Sequence, residues 1–263
     1  MTHSKLLNTL ILAALAIPAV AMADEAASPF TANIGVVSDY VFRGITQNVG
    51  KPAIQGGFDY AHSSGLYAGV WGSNVGWITG SGSTGDASLE LDTYLGFKNA
   101  FAEDFSYDVG YIRYNYLGTY TPPATYVKAD TEEVYGALGY KWITAKYSYS
   151  LGKFLTVPGA SGTNYLELNA SYPIADSGFT VAAHVGKQTY KGTFADALAA
   201  GGTTATYSDY KLGVTKDFGG YVVGLAYTNT NAKTPGYYTY TSTAGVTRNW
   251  AKGTAALSLT HSF

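Results

Sequence analysis

A period of two runs through this chain in twelve stretches, and the connections between them alternate in length. The last stretch is the plainest. From Gly253 to Phe263 it reads Gly-Thr-Ala-Ala-Leu-Ser-Leu-Thr-His-Ser-Phe. Ala255, Leu257, Leu259, His261 and Phe263 fall on one face of an extended strand, and Thr254, Ala256, Ser258, Thr260 and Ser262 on the other. A tilted strand of about 9–11 residues crosses a bilayer. Left unpaired, such a strand would be an aggregation edge, and pairing it with the first strand closes the sheet. These residues alone fit the last strand of a soluble sandwich equally well.

The other stretches decide between the two. Alternation predicts strands at Phe30–Arg43, Ile54–Tyr60, Leu66–Asn74, Leu89–Phe97, Phe105–Tyr116, Glu132–Tyr140, Ile143–Leu151, Tyr165–Tyr172, Phe179–Gln188, Ser208–Lys216 and Tyr221–Asn229, ahead of Gly253–Phe263. Connections are long after odd-numbered strands and short after even-numbered ones. That pattern matches an even-stranded outer-membrane barrel with short periplasmic turns and longer extracellular loops. A sandwich of regular hairpins has no reason to gather its long loops at one end. The expected fold is an all-β, antiparallel, up-and-down transmembrane barrel of about 12 strands over residues 30–263, with both termini periplasmic.

Composition agrees. Charged residues are only 13% of the chain, against about 25% in soluble domains, while Gly (32) and Tyr (24) are abundant. Cysteine is absent, which removes disulfides and thiolate metal sites. Residues 1–23 read as a signal peptide: Lys5 is the positive n-region, Leu6 to Val20 is largely apolar, Pro18 breaks a helix, and Ala21-Met22-Ala23 is a small-residue cleavage site. Residues 24–29 then form a short lead. The whole chain has a formal charge of −2, and losing Lys5 makes the mature chain more acidic, so nucleic acid is not an expected partner.

In lipid the barrel exterior must be apolar and the lumen can be polar. This sends Ile34, Phe58, Leu91, Leu95, Tyr147, Leu168, Val181, Leu212, Val223 and Leu257 outward. The lumen-lining candidates are Asp39, Arg43, Asp59, Glu90, Asp92, Asp108, Lys146, Glu167, His184, Asp209 and Lys211. Acidic groups dominate that set, which predicts a water-filled lumen with a mild preference for cations; a lumen filled by ion pairs is the alternative. Strict alternation puts Arg113 outside, unless a bulge near Gly110 re-aims it. Asp39 and Arg43 stand four apart on one strand face, about 13 Å. Asp59 on the adjoining strand is the expected partner of Arg43. The aromatics of the 230–252 loop, Tyr237, Tyr238, Tyr240 and Trp250, are expected in the outer aromatic girdle.

Two segments carry a likeness. Ser38-Asp39-Tyr40-Val41-Phe42-Arg43-Gly44 followed by Pro52-Ala53-Ile54-Gln55-Gly56-Gly57-Phe58-Asp59-Tyr60 resembles the opening of the TorF-like porin family of Gram-negative bacteria. Beyond those strands the likeness is one of length, signal peptide and C-terminal Phe. It implies an outer-membrane location and a porin-like role, and brings no substrate or site residues. His261 departs from the usual C-terminal signature, where an aromatic or apolar residue is common. Leu257, Leu259 and Phe263 are the expected barrel-assembly signal, with barrel-assembly and periplasmic chaperone machinery, outer-membrane lipid and small hydrophilic solutes as partners.

No catalytic, metal or cofactor site is expected. His62-Ser63-Ser64 has a His-x-Ser spacing, but it lies in a tight turn ending in Gly65 on the expected periplasmic side, and Ser-Ser-Gly is ordinary turn chemistry, whereas catalysis needs a base in reach and a third group to orient it. His184 has no second ligand at metal spacing. Gly80, Gly82 and Gly85 match a dinucleotide fingerprint, yet a strand follows in place of the required helix. The alternative to a channel is a structural or adhesive surface barrel with a closed lumen.

Overall fold

A computed structural model describes residues 28–123, 125–233, 238–241 and 247–263. The signal-peptide segment and Tyr237 lie outside the described residues, as does the side chain of Tyr240. Twelve strands form a closed antiparallel barrel: β1 (Phe30–Val37), β2 (Ala53–Ala61), β3 (Leu66–Asn74), β4 (Leu89–Phe101), β5 (Phe105–Leu117), β6 (Thr131–Tyr140), β7 (Ile143–Ser150), β8 (Asn164–Ile174), β9 (Phe179–Thr189), β10 (Tyr207–Asp217), β11 (Tyr221–Thr230) and β12 (Thr254–Ser262). Each pairs with its chain neighbours, and β12 pairs with β1 in the register Ile34↔His261 and Val36↔Leu259. Phe263 N–H donates to Ala32 O at 2.8 Å, so the seam is bonded to its end. Short turns at 62–65, 102–104, 141–142, 175–178 and 218–220 gather at one end, and the long connections at the other. No helix among the described residues is long and apolar enough to cross a membrane.

Alternation sets the two faces. Ile34, Phe58, Leu95, Tyr147, Leu168, Val181, Leu212, Val223 and Leu257 are exposed on the outside, with Leu91 half-buried beside them. Aromatics ring the short-turn end: Phe105 packs on Tyr140 (4.7 Å between centroids), Trp142 on Tyr172 (5.0 Å), and Phe30 on Phe58 (5.6 Å). His261 belongs to this ring. It stacks on Tyr221 at 4.3 Å and meets Phe263 edge-on at 4.6 Å, so an imidazole stands where an aromatic is usual. In the turns at this end, Lys141 lies 3.4 Å from Asp104, whose hydrogen bond raises the pKa of the ammonium.

Arg113 does point outward, and the β5–β6 register runs through it without a bulge, pairing it with Glu132. The two form an exposed ion pair at 3.2 Å, and Arg113 Nε also donates to Asn115 at 2.7 Å. Inside, tyrosine side chains occupy the space beside glycines of neighbouring strands. A Cβ at Gly186 would collide with Tyr165, at Gly110 with Tyr135, and at Gly69 with Tyr94. This pairing explains why both residue types are abundant, and it pins the register.

Among the described residues, two apolar clusters pack at the long-loop end. One apolar cluster joins Tyr40, Val75, Trp77, Ile78, Tyr116, Tyr120 and Ala129. A second joins Phe154, Val157, Tyr190, Ala205, Tyr207, Tyr238 and Ala251. Tyr238 is therefore buried among inward-folded loops and not in the girdle. Trp250 packs against the first cluster, also on the inner side. The expectation of an outer girdle fails for both because their side chains pack against these two clusters.

Candidate functional site: the lumen and its inner loop

The first strand ends six residues earlier than its alternation implies. After Val37 the chain leaves the wall and enters the lumen as an inner loop, residues 38–52. Val41–Phe42 pairs with Ile45–Thr46 in a small hairpin whose turn is Arg43-Gly44. Both turn residues have positive φ, 46° and 79°, as a tight two-residue turn of this hand requires. Glycine adopts that conformation freely; arginine rarely does. A Cβ on Gly44 would also strike Thr230 and Asp209 of the far wall. Asp39 and Arg43 are thus loop residues, and their expected placement on a strand face is overturned.

The Arg43 side chain, 6% exposed, reaches across the barrel. Nη2 donates to Glu133 Oε2 at 2.7 Å, and Nη1 to Glu133 Oε1 and Gln188 Oε1, each at 3.0 Å. Its guanidinium lies over the rings of Tyr165 (4.4 Å) and Phe42 (4.7 Å). Tyr207 Oη donates to its carbonyl at 2.7 Å. One residue therefore ties together β6, β8, β9 and β10. The expected Arg43–Asp59 pair does not form: Asp59 accepts from Tyr94 Oη at 2.6 Å. Asp39 accepts from Thr46 within the loop and, at 3.5 Å, from Thr254 of β12. Tyr40 Oη donates to Glu90 at 3.0 Å. Such contacts on opposite walls make the loop a constriction across the lumen.

The remaining candidates face inward, in two groups. On β8–β10, His184 Nε2 lies 3.0 Å from Asp209 Oδ2 and 2.8 Å from Tyr165 Oη; its Nδ1 lies 2.7 Å from Asn169 Oδ1 and 3.6 Å from Glu167. Tyr165 also donates to Asp209 at 2.8 Å. Lys146 stands opposite Glu167 and over the Tyr135 ring at 4.1 Å, and Lys211 stands opposite His184. On β4–β6, Glu90, Asp92 and Glu133 are buried near the inner loop, and Glu90 Oε2 and Asp92 Oδ1 lack a hydrogen-bond partner. Asp108 sits nearer the short turns, accepting from Tyr67 Oη at 2.7 Å, with Lys98 over the Tyr67 ring at 5.2 Å.

Glu133 and Lys98 escaped the sequence reading, although both carried a signal. Val134 and Leu138 face out, so parity alone puts Glu133 in. Lys98 shares parity with Glu90 and Asp92 on β4. No arrangement of three or more His, Cys, Asp or Glu suited to a metal is found among the described residues. His62 Nδ1 does lie 2.8 Å from Ser64 Oγ, but the same nitrogen accepts Ser64 N–H at 3.2 Å, which is turn capping at an exposed site.

Above the inner loop, between the long connections, lies a cleft of about 340 Å3. Phe42, Arg43, Gln47 and Gln188 are among its lining residues on the lumen side, and Trp77, Tyr126, Phe154 and Trp250 supply rings around it.

Two solved structures of one porin share the fold at very low identity. The structure titled KdgM porin covers 89% of this chain and 99% of its own, at 8% identity and a TM-score of 0.51. The structure titled KdgM porin in complex with disordered oligogalacturonate covers 89% and 98%, at 7% identity and a TM-score of 0.50. A looser likeness, to OprD of Pseudomonas aeruginosa (13% identity, 89% of this chain and 66% of that one, TM-score 0.37), carries no weight here. No curated protein matches the sequence. The profile that does match spans residues 23–263, which includes every barrel strand, and its description is "Bacterial protein of unknown function (Gcw_chp)". The TorF-like label finds no counterpart in these matches, and by that profile the chain belongs to the Gcw_chp family of bacterial proteins.

Proposed function

We propose that this protein is an outer-membrane channel through which small hydrophilic solutes or ions diffuse passively, narrowed by its inner loop. One observation carries the reading: a closed barrel with an apolar outside encloses charged and hydrogen-bonding side chains. Filling a barrel with carboxylates and amines is costly unless they are paired or reached by water. In this reading the short turns are periplasmic and the long connections extracellular. Leu257 and Leu259, on the outer face, and the terminal Phe263 act as the assembly signal read by barrel-assembly machinery.

The lumen candidates give the channel a preference for cations. Arg43 is ion-paired with Glu133, and Glu90 Oε2 and Asp92 Oδ1 lie on the same wall with no hydrogen-bond partner. The neighbouring KdgM structure holds oligogalacturonate, an acidic saccharide; the charge on this lumen disfavours anions of that kind.

The test is a planar-bilayer recording of the purified protein in a salt gradient. Discrete conductance steps with a cation-selective reversal potential are expected, and conductance should rise severalfold in Arg43→Met as the inner loop is released. Silence from both wild type and Arg43→Met would overturn the channel and leave a structural or adhesive barrel with a sealed lumen. Anion selectivity would overturn the charge argument alone.

A further inference from the structure

The cleft above the inner loop has a composition unlike the charged lumen beneath it. Its volume, about 340 Å3, is at the low end of the range for ligand pockets, about 300–1,000 Å3. Rings dominate its walls: Phe42, Trp77, Tyr126, Phe154 and Trp250. Several are fixed by crossed packing, with Trp77 edge-on to Tyr116 (5.3 Å) and Phe154 edge-on to Tyr190 (5.4 Å). Aromatic walls interspersed with a few amides and hydroxyls suit a flat molecule that has both C–H faces and hydroxyl edges.

Charge narrows the class further. Among the described residues, Arg43 is the sole ionisable acid-or-base side chain lining the cleft apart from tyrosines, and its guanidinium is bound to both oxygens of Glu133. A bidentate ion pair of this kind has little remaining attraction for an anion. Gln188 is held on both sides, accepting from Arg43 and donating to Asn164 O at 3.0 Å. Thr46, Gln47 and Thr156 add neutral polar groups. The pocket is thus ring-walled, polar at points and close to electrically neutral.

We infer that this vestibule binds an uncharged saccharide of one or two rings, stacked on Trp250 and Tyr126, before it passes the inner loop. The inference rests on the channel reading for what happens next, but binding itself needs no open pore. Full-length mature barrel in a polyoxyethylene detergent, free of sugar headgroups, is titrated by calorimetry with maltose, cellobiose, digalacturonate and phenol. Maltose or cellobiose is expected to bind, with digalacturonate at least about tenfold weaker. Trp250→Ala and Tyr126→Ala should each weaken the disaccharide about tenfold, a loss of about 1.4 kcal/mol. The two residues stand on different connections, so misfolding of one variant leaves the other informative. Heat from neither disaccharide, preference for digalacturonate, or binding of phenol alone overturns the inference. Disaccharide binding without conductance in bilayers would sink the channel and spare the site; conductance without binding would do the reverse.

Discussion

The two walls of the lumen bury charge in different ways. On β8–β10 the buried groups answer one another: His184 with Asp209 and Asn169, Tyr165 with Asp209, Asn169 with Glu167 at 2.9 Å. On β4–β6, near the inner loop, three carboxylates are buried, Glu90, Asp92 and Glu133, and the cation that pairs with Glu133 arrives from the inner loop rather than from the wall. In the first wall the His184, Asp209, Asn169 and Glu167 contacts are all made within the sheet. The second is complete only with the loop in place, and even then two carboxylate oxygens lack a partner. A completed network stiffens a barrel; an incomplete one leaves a local field that a passing ion can feel.

This contrast can be broken, beginning with the largest expected effect. Arg43→Met removes the cation bonded to Glu133 and leaves that buried carboxylate without its ion-pair partner, a situation that costs about 3–5 kcal/mol. Denaturant unfolding in lipid vesicles should show that loss, and Glu133→Gln placed on top should recover part of it. If the double variant is no more stable than Arg43→Met, the ion pair is not what seats the loop. Asp209→Asn tests the balanced wall. It weakens the acceptor shared by His184 and Tyr165, and hydrogen bonds to a charged group contribute about 1.5–3 kcal/mol, so a smaller loss is expected by the same assay. Asp92→Asn should change stability least, by under about 1 kcal/mol and in the favourable direction, because Asp92 Oδ1 has no hydrogen bond to lose. Its signature is electrical: the reversal potential should move toward neutrality, and a shift toward stronger cation selectivity would contradict the assignment.

Much of this was legible in the alternation. Strand number, the segregation of long connections to one end, the outward apolar set and the inward charges on β2 through β10 all follow from a period of two under a lipid constraint. The failures share a cause. The stretch 38–43 keeps its alternation after the chain has left the wall, since Tyr40 and Phe42 are needed as buried anchors against Trp71 and Tyr114. Period alone cannot separate a strand facing lipid from a loop facing a packed interior. The partner of Arg43 was equally hidden. Asp59 is close along the sheet, whereas Glu133 is 90 residues on and across the lumen. Tyr238 and Trp250 were misassigned because an aromatic near the end of a strand suits a membrane interface and a folded-back loop alike. Glu133 itself needed no structure, only the parity rule applied to Val134.

The route of residues 38–52 also constrains the order of assembly. This segment hangs between the first two staves of the barrel, yet its side chains touch strands up to the twelfth: Asp39 meets Thr254. Were the cylinder to seal first, a bulky hairpin would have to be pushed in past the packed mouth. Swallowing it while the wall is still an open curl is simpler, so the hairpin acts as a mandrel around which later strands wrap. Zipping of β12 onto β1 is then the final step, and it locks in whatever the curl has already enclosed.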